Sequence, residues 1–123
     1  MRILGHKKIE FFIKNLLLSE SYLLKKRAVR FYKKQTEKEI RYLPILADKR
    51  LGSIDIGVYR GVYSYYLSKE SKYVYAFEAN PLLIKKLKKG FQNYKNIRIE
   101  NLAVSSNQGV ANLKIPFRNQ NID

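Results

Sequence analysis

A short apolar strand ending in a glycine-bracketed turn constrains the fold more than any other part of this sequence. Residues 51–56 are largely apolar, and Gly57 and Gly61 enclose the turn that follows. A helix is predicted from Gly61 to Ser68, and a second apolar strand over residues 73–78. Strand, tight turn, helix and strand form the repeating unit of a doubly wound parallel sheet. We therefore predict an α/β fold of the Rossmann-like type.

The elements after the second strand continue this pattern. Asn80 and Pro81 are typical of a helix start, since asparagine caps the helix and proline presets its first backbone angle, and Gly90 is placed to end that helix. A third strand is predicted over residues 97–104. A turn then leads into residues 110–117, whose alternation predicts an antiparallel extension of the sheet.

The first fifty residues form a basic, amphipathic, helical region in our prediction, and residues 51–123 an incomplete cofactor-binding domain. Apolar side chains at helical spacing over residues 3–32 indicate one helix or a helix pair. A second helix is expected over residues 35–50, bent or ended by Pro44. Charged residues interrupt the first apolar run, so we expect neither a membrane span nor a signal peptide. Peripheral membrane contact through residues 3–32 stays an alternative.

The charge balance is strongly positive. The 123 residues contain 25 lysines and arginines against 10 carboxylates, a formal net charge of +15. Such an excess favours anionic partners, including nucleic acid, but it is spread along the sequence, and lysines on solvated surfaces are the preferred interpretation. Cysteine is absent and His6 is the single histidine. The absence of cysteine excludes disulfides and thiolate metal sites, and a single histidine disfavours a histidine-based triad. A chain without disulfides fits a reducing compartment, so a cytoplasmic location is predicted.

Glu78 and the glycine turn together predict a nucleoside-binding site. Glu78 follows Gly57 by 21 residues, the interval at which a carboxylate at the end of the second strand reaches a ribose. The turn would present backbone N–H groups to a carboxylate or phosphate. The alternatives are a solvated strand-end carboxylate and an ordinary strand-to-helix turn. Tyr59 stands where a dinucleotide site needs its middle glycine, which disfavours NAD.

S-adenosylmethionine fits these residues better, because it has no pyrophosphate. Its methionine carboxylate could meet the N–H groups of the turn, while Asp55 orients the loop or faces the ammonium group. Asp55 could equally be a buried carboxylate bonded to loop amides, and the two interpretations are compatible.

Four blocks of sequence resemble the FkbM-type methyltransferases. In order, they are residues 55–64 (DIGVYRGVYS), residues 75–81 (YAFEANP), residues 101–104 (NLAV) and Gly109. The resemblance spans roughly residues 39–116. It implies a class I Rossmann-like fold that uses S-adenosylmethionine to O-methylate a small-molecule or glycan acceptor through a hydroxyl group. By similarity, the cofactor-binding residues are Asp55, Gly57, Tyr59, Gly61, Glu78, Ala79, Asn101 and Ala103.

The resemblance also assigns parts of the cofactor. Asp55, Gly57 and Gly61 would line the methionine end, Glu78 the ribose, and Asn101 with Ala103 the adenine. The family usually has Ala-Asn where this chain has Val58-Tyr59, so the tyrosine ring must point out of the pocket.

A complete domain of the family continues with further strands that carry most of the acceptor site. We therefore expect this chain to be the cofactor half, with no catalytic residue assigned and an exposed edge along strand 53–56. The alternative functions are a basic RNA- or membrane-surface-binding module and an RNA methyltransferase of the same fold.

Overall fold

The computed structural model describes residues 18–35 and 37–115. Its elements, in chain order, are α1 (Glu20–Lys34), a 3₁₀ helix (Lys38–Tyr42), α2 (Leu43–Leu46), β1 (Gly52–Ile56), α3 (Val62–Glu70), β2 (Tyr73–Phe77), α4 (Pro81–Gly90) and β3 (Ile97–Glu100).

The three strands form one parallel sheet in the order β1-β2-β3. Ile56 pairs with Phe77, and Phe77 pairs with Glu100, so the carboxyl ends of all three strands meet at one edge. This confirms the predicted α/β fold and its parallel strands. In the described part of the chain β1 lies at the side of the sheet, as expected for strand 53–56.

Helices α3 and α4 pack against the strands of this sheet, and α1 packs against both helices. Val74 and Ala76 of β2 and Ile99 of β3 point into the helix layer and are buried. Beneath the helices lies a hydrophobic core to which each of them contributes, with buried members Leu24, Ala28, Val58, Tyr65, Ala76, Leu87, Phe91 and Ile99. Helix α1 is thus part of the same core as the helices that connect the strands.

Local sequence explains how α4 begins. The Asn80 side chain accepts a hydrogen bond from the Leu82 N–H at 3.0 Å, and Pro81 occupies the first turn. Both features are as predicted. Lys88 and Lys89 lie in the last turn, where positive charge is favourable.

The other face of the sheet is apolar and open in the described part of the chain. Ile54 and Ile56 of β1, and Tyr73 and Tyr75 of β2, are all exposed. Parallel sheets are ordinarily covered on both faces.

Two predictions of strand were wrong. The third strand ends at Glu100 instead of Val104, and residues 110–115 of the predicted extension form no strand, while residues 116–117 lie outside the described part. Val110 and Leu113 are exposed, so the alternation of residues 110–115 is not accompanied by burial on one face. An alternating apolar pattern forms a strand only where a neighbouring strand supplies hydrogen bonds and a core buries one face.

The region before β1 also differs from the prediction. Instead of one helix over residues 35–50, the chain forms a 3₁₀ helix and a single short α-helical turn, α2. Pro44 lies in the first turn of α2, where its missing N–H costs nothing. Ile40 is buried, whereas Leu46 is exposed. Of the helical region predicted over residues 3–32, residues 20–32 lie in α1 and residues 3–17 lie outside the described part.

Among the described residues, none of the helices has the length and apolar character needed to span a bilayer. The same part of the chain holds no cluster of three or more histidine, cysteine or carboxylate side chains suited to a metal ion.

Candidate functional site

The loop between β1 and α3 has an unusual backbone. Gly57, Tyr59 and Gly61 have φ values of 82°, 50° and 80°, so every second residue adopts the left-handed conformation. The N–H groups of Gly57 and Val58 both donate to the Phe77 carbonyl, at 2.8 and 3.2 Å. These bonds hold the loop, which we call the glycine loop (residues 57–61), against the end of β2.

Gly61 is required for two reasons. Besides its positive φ, a Cβ atom at this position would lie 2.9 Å from Cε2 of Phe91, 3.0 Å from Cδ1 of Leu24 and 3.2 Å from Cδ2 of Leu87. A Cβ atom at Gly57 would meet no atom within 4 Å. Gly61 therefore allows α3 to start directly against the core, whereas Gly57 is needed only for its backbone conformation.

Glu78 joins the loops that follow β1 and β2. Its Oε2 accepts a hydrogen bond from the Tyr59 N–H and its Oε1 accepts one from the Asn80 N–H, both at 2.7 Å. The residue is buried, with 8% of its surface exposed, so it is not a solvated strand-end carboxylate. Each carboxylate oxygen has a second lone pair and can accept one more hydrogen bond.

Asp55 stabilises the start of α3. Its Oδ2 accepts a hydrogen bond of 2.5 Å from the hydroxyl of Ser64, whose backbone N–H also interacts with this carboxylate. The N-cap residue of α3 is Gly61, which has no side chain to cap the helix, so Asp55 supplies the missing acceptor from the strand. Burial raises the pKa of Asp55, the hydrogen bonds from Ser64 oppose this shift, and the charge of Glu78 adds to it.

Asn101 ties the end of β3 to the end of β2. Its side-chain amide donates to the carbonyl of Glu78 at 2.8 Å and to that of Ala79 at 3.1 Å. Ala103 lies beyond the end of β3 in an exposed segment. The structure thus brings Tyr59, Glu78, Ala79 and Asn101 together through hydrogen bonds, and their contacts with a cofactor stay predictions.

Helix α1 reaches the site through one arginine. Nη1 of Arg27 donates to the carbonyl of Arg60 at 3.1 Å, so α1 holds the glycine loop in addition to Glu78. Burial and the nearby Arg60 charge lower the pKa of Arg27. The Arg60 guanidinium lies 5.4 Å from the centroid of the Tyr59 ring, which is exposed. The Tyr59 ring is therefore open to solvent.

Sequence reasoning missed Arg27, and it gave Ser64 no role of its own. Arg27 is separated from Arg60 by 33 residues, and no local pattern connects them. The Asp55 and Ser64 pair spans nine residues across a strand, a turn and a helix.

Comparisons with known proteins bear on the fold. No protein-family model matches the sequence, and a search of curated proteins finds no match. Solved structures with a similar fold include the following two. One is a candidate methyltransferase from Streptococcus mutans in complex with SAH (S-adenosylhomocysteine), with 26% identity and a TM-score of 0.51 over 55% of this chain and 40% of that one. The other is an rRNA methylase from Streptococcus thermophilus, with 19% identity and a TM-score of 0.50 over 54% of this chain and 41% of that one.

The chain has a Rossmann-like methyltransferase fold. This chain covers less than half the length of either similar structure. In a methyltransferase fold of this type, ligands bind beyond the carboxyl ends of the strands. Glu78, the glycine loop and Asn101 all lie at that edge.

Proposed function

We propose that this chain binds S-adenosylmethionine at the carboxyl edge of its sheet and forms the cofactor half of a methyltransferase. The observation that carries the proposal is the buried Glu78 carboxylate, which accepts backbone N–H groups from the glycine loop and from the start of α4. These bonds fix the position of a carboxylate at the end of β2. The similar Streptococcus mutans structure, solved with SAH, supports the choice of cofactor.

The residues at this edge fit such a cofactor. The second lone pairs of Glu78 would accept the two ribose hydroxyls, and they would repel a 2′-phosphate. The N–H groups of Gly57, Val58, Tyr59 and Gly61 are bonded within the protein. The methionine carboxylate would therefore meet the first turn of α3, where the helix dipole favours negative charge. Asp55, two residues before Gly57, is placed to attract the ammonium group.

The methyl acceptor in this proposal is a hydroxyl of a sugar or related metabolite. Support comes from the resemblance of four sequence blocks, which include Glu78 and Asn101, to FkbM-type methyltransferases. An RNA methyltransferase is the second candidate, and the positive charge of the chain favours it. Transfer of a labelled methyl group from S-adenosylmethionine to a sugar panel and to RNA, measured with a complete methyltransferase domain that contains this chain, separates the two. Labelling of RNA alone would contradict the sugar acceptor.

Calorimetric titration of the 123-residue chain with SAH tests cofactor binding. We expect Glu78→Gln to weaken binding about tenfold, which corresponds to about 1.4 kcal/mol, because the amide can accept fewer hydrogen bonds from the ribose. Glu100→Gln is the matched control, since Glu100 ends β3 at the same edge and pairs with Arg98.

Circular dichroism of both variants checks that they are folded. A folded wild-type chain that does not bind SAH would contradict the proposal. Equal loss of affinity in both variants would contradict the role of Glu78.

A further inference from the structure

The fold gathers positive charge that the sequence spreads out. Helices α1 and α4 carry ten of the basic side chains and one carboxylate, that of Glu20. The remaining described residues carry ten basic side chains against seven carboxylates. The ten on the helices are Lys25, Lys26, Arg27, Arg30, Lys33, Lys34, Lys85, Lys86, Lys88 and Lys89.

These two helices are neighbours in the helix layer. Leu24 of α1 and Leu87 of α4 belong to the same buried core. A Cβ atom at Gly90, the last residue of α4, would lie 3.4 Å from Leu24. Because both helices turn their apolar sides inward, their charged sides face outward. Nine of the ten basic side chains are exposed, and the exception is Arg27. We call this surface the α1–α4 face.

The arrangement is unfavourable for the isolated helices. Lys26 and Arg30 are four residues apart, as are Lys85 and Lys89, and Lys85 and Lys88 are three apart. Like charges at these spacings destabilise a helix by about 0.2–0.5 kcal/mol per pair. A surface that serves only solubility interleaves charges of both signs. The one-sided charge of the α1–α4 face therefore points to a polyanionic partner.

Nucleic acid fits this face better than a membrane. A helix that lies in a membrane interface needs an apolar side to insert. The apolar side of α1 is instead buried within the protein, with Leu24 and Ala28 at 3% and 0% exposure. Leu82 is an exposed aliphatic residue on α4, which is too little apolar surface for anchoring. Tyr22 is exposed one helical turn before Lys25 and Lys26, so a base could stack on its ring beside two cations.

We infer that the α1–α4 face binds the phosphate backbone of single-stranded nucleic acid. Arg27 extends the face to the glycine loop through its bond to the Arg60 carbonyl, so a bound strand would pass close to the candidate cofactor site. The inference goes beyond the proposed function and does not depend on it, since it requires neither cofactor binding nor methyl transfer.

Fluorescence anisotropy with a labelled RNA of about 20 nucleotides tests the inference. The test variant is the quadruple Lys→Gln substitution at Lys85, Lys86, Lys88 and Lys89. The control variant makes the same change in net charge at four exposed lysines elsewhere: Lys38, Lys49, Lys72 and Lys114.

We expect the α4 variant to lose at least tenfold in affinity and the control less than threefold. Each lysine that contacts a phosphate contributes about 0.7 to the slope of log affinity against log salt, so the α4 variant should lower that slope by up to about 2.8.

Three outcomes would overturn the inference. The first is equal loss in both variants, which would show that net charge alone binds RNA. The second is absence of RNA binding by the wild-type chain at low salt. The third is binding to anionic phosphatidylserine vesicles in preference to RNA, which would assign the face to a membrane. Calorimetry with SAH on the α4 variant keeps this result separate from the proposed function, because the substituted lysines lie outside the candidate cofactor site.

Discussion

Two glycines with nearly the same φ value provide a test of how the site is built. Gly57→Ala and Gly61→Ala both place a Cβ atom on a left-handed residue, which costs about 1–2 kcal/mol. Only Gly61→Ala also drives the Cβ atom into the core, 2.9 Å from Phe91 and 3.0 Å from Leu24. Overpacking of this kind adds about 1–3 kcal/mol. We therefore expect Gly61→Ala to lower the free energy of unfolding by about 2–5 kcal/mol, and Gly57→Ala by about 1–2 kcal/mol.

Urea denaturation followed by circular dichroism measures both variants. With a slope of about 1–3 kcal/mol per molar urea, the two midpoints should be clearly separated, that of Gly61→Ala being the lower. The common backbone cost cancels in the difference, which isolates the packing of α3 against Phe91 and Leu24. Equal midpoints, or a larger loss for Gly57→Ala, would refute the claim that Gly61 sets the contact between α3 and the core.

Three further predictions concern single polar groups. Asp55→Ala should destabilise the chain by about 1–3 kcal/mol in urea denaturation at neutral pH, because the buried Ser64 hydroxyl loses its acceptor. Asp55→Asn keeps an acceptor and should destabilise the chain less in the same measurement. Arg27→Gln should weaken SAH binding several-fold in calorimetry by freeing the Arg60 carbonyl, and the exposed Arg30→Gln should not. Burial and a neighbouring glutamate raise the pKa of Tyr63 to about 12, so Tyr63→Phe should reduce the rise in tyrosinate absorbance that an ultraviolet titration records near pH 12.

The pKa of Asp55 also predicts a pH dependence with a definite sign. Because burial raises this pKa in the folded state above its ordinary value of 3.8, the contribution of Asp55 to stability is fully present below that value and is lost as the pH rises through the folded-state pKa. The free energy of unfolding of the wild-type chain minus that of Asp55→Asn should therefore be larger near pH 3.8 than at neutral pH. A relative stability that increases with pH would contradict this account. Equal destabilisation by Asp55→Ala and Asp55→Asn would contradict the role of Asp55 as the hydrogen-bond acceptor of Ser64.

The turn after β1, the start of α4 and the parallel strands were predicted correctly because short sequence patterns determine each of them. Gly57 and Gly61 marked the turn because few other residues adopt its backbone angles. Asn80 and Pro81 marked the start of α4 because they supply a cap and a preset angle. The apolar runs of β1 and β2 marked a parallel sheet, and that sheet placed Glu78 beside the glycine loop.

The remaining features depend on contacts between distant residues. The alternation of residues 110–115 predicted a strand, but a strand also needs a partner, and no pattern within the segment reports one. The bond between Arg27 and the glycine loop joins α1 to a loop, and no common motif links the two residues, which are 33 positions apart in the sequence. The positive charges looked evenly spread because α1 and α4 are far apart in sequence, and packing through Leu24 and Leu87 brings them onto one face.

Amide NMR spectra recorded during titration with SAH test the central claim most directly. If the cofactor binds at the carboxyl edge of the sheet, the N–H signals of Tyr59 and Asn80 should shift most, because both donate to the Glu78 carboxylate that would receive the ribose. The signals of Lys85 and Lys86 on the outer side of α4 should stay in place. Large shifts on α4 with unchanged signals for Tyr59 and Asn80 would contradict the proposed site.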